Sequence, residues 1–177
     1  MFWKLNDLKG LTVYLESLGC AKNLIDSEVM LGLLKMAGCR IITDPKHAKA
    51  IIVNTCGFIE DAQREAINTI LRLAEYRENG KAAALVVTGC LVQRFPEELG
   101  QEIPEIDALV GAGEFNRIVE ILTEVLSGKK INLVARPTFI YDHSWPRLIS
   151  TPCHYAYIKV AEGCDNRCSY CAIPDIR

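Results

Sequence analysis

The chain has 177 residues, half of them apolar, and a formal charge of −2. That length suits one well-buried domain with an appendage. The near-neutral balance argues against an autonomous nucleic-acid-binding module, and no apolar run approaches a membrane span.

The opening MFWKLNDLKG has no long apolar run and no small-residue cleavage site, so it does not read as a secretory signal, and a cytoplasmic protein is expected. The 8 cysteines fall below the roughly 8–10% density of disulfide scaffolds. Metal ligation or catalysis is the better expectation for those that cluster.

Along the chain, short apolar runs alternate with amphipathic segments. LTVYL (11–15) reads as a strand. Asp26-Ser27-Glu28 opens a helix with Met30, Leu33, Leu34 and Ala37 on one face, stopped by Gly38. CRII (39–42) is a short strand and AIIVN (50–54) a buried one. A long helix over 58–79 carries Ile59, Ala62, Ala66, Ile67, Ile70, Leu71 and Ala74 at helical spacing and ends at Asn79-Gly80. AALVV (83–87) is the next buried strand. Pro96 begins a short helix, DALV (107–110) is a last strand, and Phe115, Ile118, Val119, Leu122, Val125 and Leu126 stripe the closing helix. Continuous apolar strands separated by helices imply an α/β domain, a doubly wound parallel sheet, over residues 1–127. Residues 128–151 read as an ordered linker. Residues 152–177 begin something new, with HYAYIKV (154–160) as a strand.

Three cysteines stand just past predicted strand ends: Cys20 in ESLGC, Cys56 in VNTCG and Cys90 in VVTGC. The carboxyl ends of parallel strands share one edge, where open α/β proteins place their ligands. The three thiols are therefore expected to converge on a shared metal site. Gly19, Gly57 and Gly89 beside them leave the backbone free to turn tightly. Helix starts expected after Cys20 and Cys56 would favour thiolates. The competing reading is three ordinary buried cysteines, which is the reading adopted for Cys39 and Cys153.

A second trio, Cys164, Cys168 and Cys171 in AEGCDNRCSYCAIPDIR, has C-x-x-x-C-x-x-C spacing. Zinc sites usually recruit four ligands. Three thiolates on one tight loop suit three corners of a [4Fe–4S] cluster, leaving the fourth iron open for chemistry. A zinc knuckle is the alternative. Tyr170 is a candidate contact for a cofactor, or a plain packing residue.

The string YIKVAEGCDNRCSYCAIPDIR resembles the radical S-adenosylmethionine enzymes, and specifically their methylthiotransferase branch. SLGCAKNLIDSEVM, NTCGFIEDA and VTGC resemble that branch's N-terminal domain. Within it, SLGCAKNLIDSE is most similar to the enzymes that methylthiolate an aspartate of a small-subunit ribosomal protein. The transfer-RNA adenosine enzymes, the alternative, more often carry methionine or valine where this chain has Lys22.

The resemblance implies two [4Fe–4S] clusters: a radical one on Cys164, Cys168 and Cys171, binding S-adenosyl-L-methionine, and an auxiliary one on Cys20, Cys56 and Cys90. It implies no catalytic residues beyond these ligands. It also implies an electron donor such as flavodoxin or ferredoxin, no membrane partner, and RNA only in the transfer-RNA alternative. Family members continue into a (β/α) barrel-like domain, so this sequence reads as the N-terminal part of a longer enzyme, truncated after the barrel's first strand and cluster loop and inactive alone. A non-catalytic iron–sulfur or zinc-binding module is the reading from another class.

Overall fold

The computed structural model describes residues 8–80, 82–139 and 142–177. Residues 1–7, most of the stretch read as lacking a secretory signal, lie outside them, as do residue 81 and residues 140–141 of the linker. The apolar runs become strands of one sheet: β1 (Thr12–Ser17), β2 (Arg40–Ile41), β3 (Ala50–Thr55), β4 (Ala84–Gly89), β5 (Ala108–Val110) and β6 (Ile131–Leu133). Every pairing is parallel, in the order β2-β1-β3-β4-β5-β6. The order reverses between β1 and β3, which makes that junction the switch point where open α/β sheets bind ligands.

The helices are α1 (Ala21–Met36), α2 (Glu60–Glu78), α3 (Cys90–Arg94), α4 (Pro96–Glu102), α5 (Ile118–Leu126) and α6 (Ile173–Ile176). They cover both faces. Ala50 and Ile52 point to a core shared with Val29, Met30, Leu33 and Leu34 of α1 and Ile118, Ile121 and Leu122 of α5. Ile51 and Val53 point the other way, to Ala66, Ile70 and Leu73 of α2 and Leu91 and Leu99 of α3 and α4. β3 and β4 are buried at every position, so their alternation is visible only in packing, as expected of strands covered on both sides.

The structure departs from the sequence reading at particular places. α1 starts at Ala21, directly after Cys20, so Asp26, Ser27 and Glu28 lie inside the helix and are buried. Asp26 and Glu28 face returning chain and Ser27 faces the strand ends, rather than capping a helix start. On α2, Ile59, Ile67 and Leu71 are exposed while Leu73 is buried. Ile67 and Leu71 line a surface groove with Phe95, Leu99 and Ile103 instead of meeting the sheet. Leu126 of the closing stripe is exposed as well. A sixth strand, β6, comes from the segment read as linker. HYAYIKV forms no strand, and Ile158 and Val160 are 83% and 93% exposed. A strand needs a neighbour's ladder to satisfy its backbone, and among the described residues none pairs with this segment.

The segment after β6 straps back across α1. An ideal Cβ on Gly32 would stand 2.6 Å from the Pro146 carbonyl oxygen, so only glycine admits the strap here. The Leu148 amide donates to the Glu28 carbonyl at 2.9 Å. The Glu28 carboxylate accepts from Arg147 Nε at 2.7 Å and from the Ser150 amide and hydroxyl at 2.7 and 2.8 Å. Phe139 packs edge-on against Phe115 and Trp145.

Burial pushes the Glu28 carboxyl up, but Ser150 and Arg147 outweigh it and hold the group below the ordinary glutamate value. A carboxyl depressed in the folded state contributes stability that is complete above its unfolded value, about 4.3, and is lost as pH falls through the folded value. Acidification below about pH 4 should therefore release the strap. In a Trp3→Phe background this is read as a Trp145 fluorescence change, and Glu28→Gln should remove its dependence on this titration.

Candidate metal centre

The register of β1, β3 and β4 lines up three strand ends. Ser17 pairs with Asn54, and Asn54 with Thr88. Cys56 and Cys90 each follow two residues beyond that row, and Cys20 three beyond. Cys20 caps α1, Cys90 is the first residue of α3, and Cys56 sits in the loop after β3. The expected helix start after Cys56 is displaced: α2 begins only at Glu60.

The loops carrying these cysteines are in backbone contact. Gly19 has φ +92, and an ideal Cβ there would lie 2.6 Å from Cys56 Cβ and 3.0 Å from its Sγ. A Cβ on Gly57 would lie 2.6 Å from Leu91 Cα and 3.0 Å from the Cys90 carbonyl carbon. Two glycines thus let the first loop close on the second and the second on the third.

Asn23, on the first turn of α1, ties the edge together. Its Nδ2 donates to the Leu18 and Thr55 carbonyls at 3.1 and 2.9 Å. Its Oδ1 accepts from Arg177 at 2.7 Å and lies 3.6 Å from Cys90 Sγ. Asn54 Nδ2 donates to the Asn23 carbonyl and to Ser27 Oγ at 2.8 and 2.9 Å. Thr55 Oγ1 donates to the Thr88 carbonyl at 2.6 Å. These buried polar groups are all partnered, which fixes the edge rigidly.

Cys90 is buried, Cys56 half-buried and Cys20 exposed. Burial pushes the Cys90 thiol up, Arg177 beside it pulls it down, and Cys56 and Cys20 push it up again. Among the described residues no three His, Cys, Asp or Glu groups are poised to hold a single metal ion. A cubane cluster is wider than one ion, and three thiols with no fourth donor match the ligand set of one with an open iron. The glycine contacts bring the cysteine loops together at this edge, and the donor set suits such a group.

The second trio lies on the loop before α6. Cys164 and Cys168 are exposed and Cys171 is half-buried. The Cys171 amide donates to the Cys168 carbonyl at 3.0 Å, and Asn166 Nδ2 lies 3.5 Å from Cys164 Sγ. Beside Cys164 is a cavity of about 560 Å³ whose walls include Arg136, Glu162, Asp165, Arg167 and Arg177.

The sequence profile described as uncharacterized protein family UPF0004 matches residues 12–111, the segment bearing β1 to β5 and the first trio. The chain belongs to the UPF0004 family. It is 53% identical over 165 residues to the ribosomal protein uS12 methylthiotransferase RimO of Heliobacterium modesticaldum, covering 93% of this chain and 36% of that protein. It is 56% identical over 167 residues to that of Desulforamulus reducens, with 94% and 38% covered. The protein of that name from Clostridioides difficile is 50% identical over 167 residues, again with 94% and 38% covered. The chain therefore spans under two-fifths of the length of these curated relatives.

Set against the UPF0004 match, the second trio lies beyond the matched residues. Tyr170 is 90% exposed, so it packs against nothing as the loop stands. Cys39 is buried, donates toward the Leu8 carbonyl at 3.7 Å, and is pushed up to about 11 by burial, as an inert core thiol would be. Cys153 is exposed, against the expectation of a buried one, because the segment around it leaves the sheet. Sequence reasoning missed Asn23, Asp26, Lys159 and Arg177. The available signal was four polar residues, Asn23, Asp26, Ser27 and Glu28, crowded into the first half of α1.

Gly19→Ala tests this packing. Positive φ alone costs an L-residue about 1–2 kcal/mol, and Gly10 and Gly128 (φ +81 and +90) have nothing within 4 Å. Gly19→Ala should therefore destabilise the UPF0004 domain by at least about 1 kcal/mol more than Gly10→Ala or Gly128→Ala in denaturant unfolding. Equal costs would contradict the close approach to Cys56.

Proposed function

We propose that this chain forms the N-terminal part of an enzyme that methylthiolates an aspartate of ribosomal protein uS12, with two [4Fe–4S] clusters and S-adenosyl-L-methionine. The observation that carries the reading is the gathering of Cys20, Cys56 and Cys90 at the switch point of the sheet, in a chain half identical to proteins bearing that name. Cys20, Cys56 and Cys90 are the ligands of the auxiliary cluster, and Cys164, Cys168 and Cys171 those of the radical one. When bound, such clusters supply reductive cleavage of S-adenosyl-L-methionine at one open iron and a place for the transferred sulfur at the other.

The chain's own residues hold, orient and shield. Asn23 and Asn54 hold in place the strand-end loops that carry Cys20, Cys56 and Cys90. Burial of Cys90 keeps water from one side of the auxiliary site. The cavity beside Cys164 has the size of a small-molecule site, and its Arg136, Arg167 and Asp165 suit a zwitterionic amino-acid moiety such as that of S-adenosyl-L-methionine. Cys164 and Cys168 are open to solvent in this chain, so shielding of the radical site falls to sequence that the longer relatives carry. A small electron-transfer protein such as flavodoxin or ferredoxin would approach this open side. Among the described residues no helix is long and apolar enough to cross a membrane.

Anaerobic loading with iron and sulfide, followed by elemental analysis, tests the assignment. The chain should hold about eight irons and eight sulfides. Any one of Cys20→Ala, Cys56→Ala or Cys90→Ala should lower this to about four of each. So should Cys164→Ala, Cys168→Ala or Cys171→Ala, whereas Cys39→Ala and Cys153→Ala should leave it unchanged. One or two zincs without sulfide would overturn the reading in favour of a zinc module.

A further inference from the structure

The C-terminal segment meets α1 through a closed ring of four buried charges. Lys159 Nζ lies 2.5 Å from Asp26 Oδ1 and 2.6 Å from Glu162 Oε2. Arg177 contacts Asp26 Oδ2 at 2.8 Å and Glu162 Oε1 at 2.6 Å. The side chains of Asp26, Lys159 and Arg177 are 2–3% exposed and that of Glu162 is 16% exposed. Two cations alternate with two anions, so the ring is neutral as a whole. Around it, Lys22 Nζ donates to the Glu162 carbonyl at 3.0 Å. Gly163 brings the Arg177 backbone so close that an ideal Cβ would lie 2.5 Å from its carbonyl oxygen.

A buried ion network is a poor source of net stability, because desolvation offsets the attraction. Its strength is directional: with one member missing, the others are left buried and unpaired. Such a ring therefore specifies position. This one joins the two cysteine trios. Asp26 is six residues after Cys20 on α1, while Glu162 is two residues before Cys164. Arg177 closes the link, since its guanidinium donates to Asn23 Oδ1 at 2.7 Å, the same oxygen that the Cys90 thiol meets at 3.6 Å.

We propose that Arg177 is a positioning residue that locks the Cys164–Cys171 loop against the sheet edge through Asp26 and Glu162 and, across their shared partner Asn23 Oδ1, sets its positive charge near the Cys90 sulfur. The second part rests on the cluster assignment above, while the first does not. A cation near a ligating sulfur favours the reduced, more negative state of a cluster, and charge is a known lever on its potential.

Two measurements on the 177-residue chain separate the parts. Hydrogen exchange on the metal-free protein reads the lock. Arg177→Gln and Asp26→Asn should each speed exchange of the hydrogen-bonded Cys171, Asp175 and Arg177 amides at least about tenfold (about 1.4 kcal/mol), leaving β3 and β4 unchanged. Redox titration of the iron-loaded protein, in a Cys164→Ala/Cys168→Ala/Cys171→Ala background, reads the effect on the sulfur. Arg177→Gln should shift the midpoint potential downward, and Arg177→Lys, which keeps the charge, should recover most of the shift. Unchanged exchange in both variants overturns the lock. A loaded cluster with unchanged potential overturns the placement of the Arg177 charge near Cys90. Failure of that background to load any iron overturns the auxiliary-cluster assignment, and the exchange result still decides the lock.

Discussion

A parallel sheet delivers every strand's carboxyl end to the same edge, and in this molecule β1, β3 and β4 lie side by side there with Ser17, Asn54 and Thr88 in register. That constraint turns three cysteines separated by 36 and 34 residues in sequence into neighbours. The order reversal between β1 and β3 opens a crevice at the same point, because the connections from these strands depart to opposite faces. The cysteine loops leave from both sides of it. Gly19 and Gly57 then bring the loops within van der Waals reach of one another. The candidate site is a consequence of sheet direction first and of local loop chemistry second.

α1 carries the next level of organisation. Its outer and lower faces hold buried polar residues that each meet a different part of the molecule. Asn23 and Ser27 meet the strand ends. Asp26 meets Lys159 and Arg177, and Glu28 meets the strap at Arg147 and Ser150. One helix thus fixes the strand-end loops, the strap and the segment bearing the second cysteine loop. Burial of so much polarity is tolerable because the partners are all supplied. Its effect is to specify one arrangement of the chain, since any slip would strand a carboxylate without its cation.

The strands were legible because each is buried on both faces and so is written as an uninterrupted apolar run; β1, β3, β4 and β5 fall within one or two residues of the expected spans. β6 was not, because INL is a short, partly exposed edge strand behind Lys129-Lys130. HYAYIKV fails in the opposite sense. Its alternating Tyr, Ile and Val are what a half-buried strand would use, yet β-propensity reports the fit to a neighbour and no neighbour is present. Asp26-Ser27-Glu28 has the composition of a helix start, but the partners of Glu28 and Asp26 lie 119 and 133 residues away. At the site, the cysteines could be placed from strand ends alone. Arg177 could not, because 151 residues separate it from Asp26 and nothing local marks it.

The most direct test of the central claim is anomalous scattering at the iron absorption edge from crystals of the anaerobically loaded protein. The account predicts a compact iron peak bounded by the sulfurs of Cys20, Cys56 and Cys90 at the carboxyl edge of β1, β3 and β4. Iron bound elsewhere, with those three sulfurs free and apart, would contradict it.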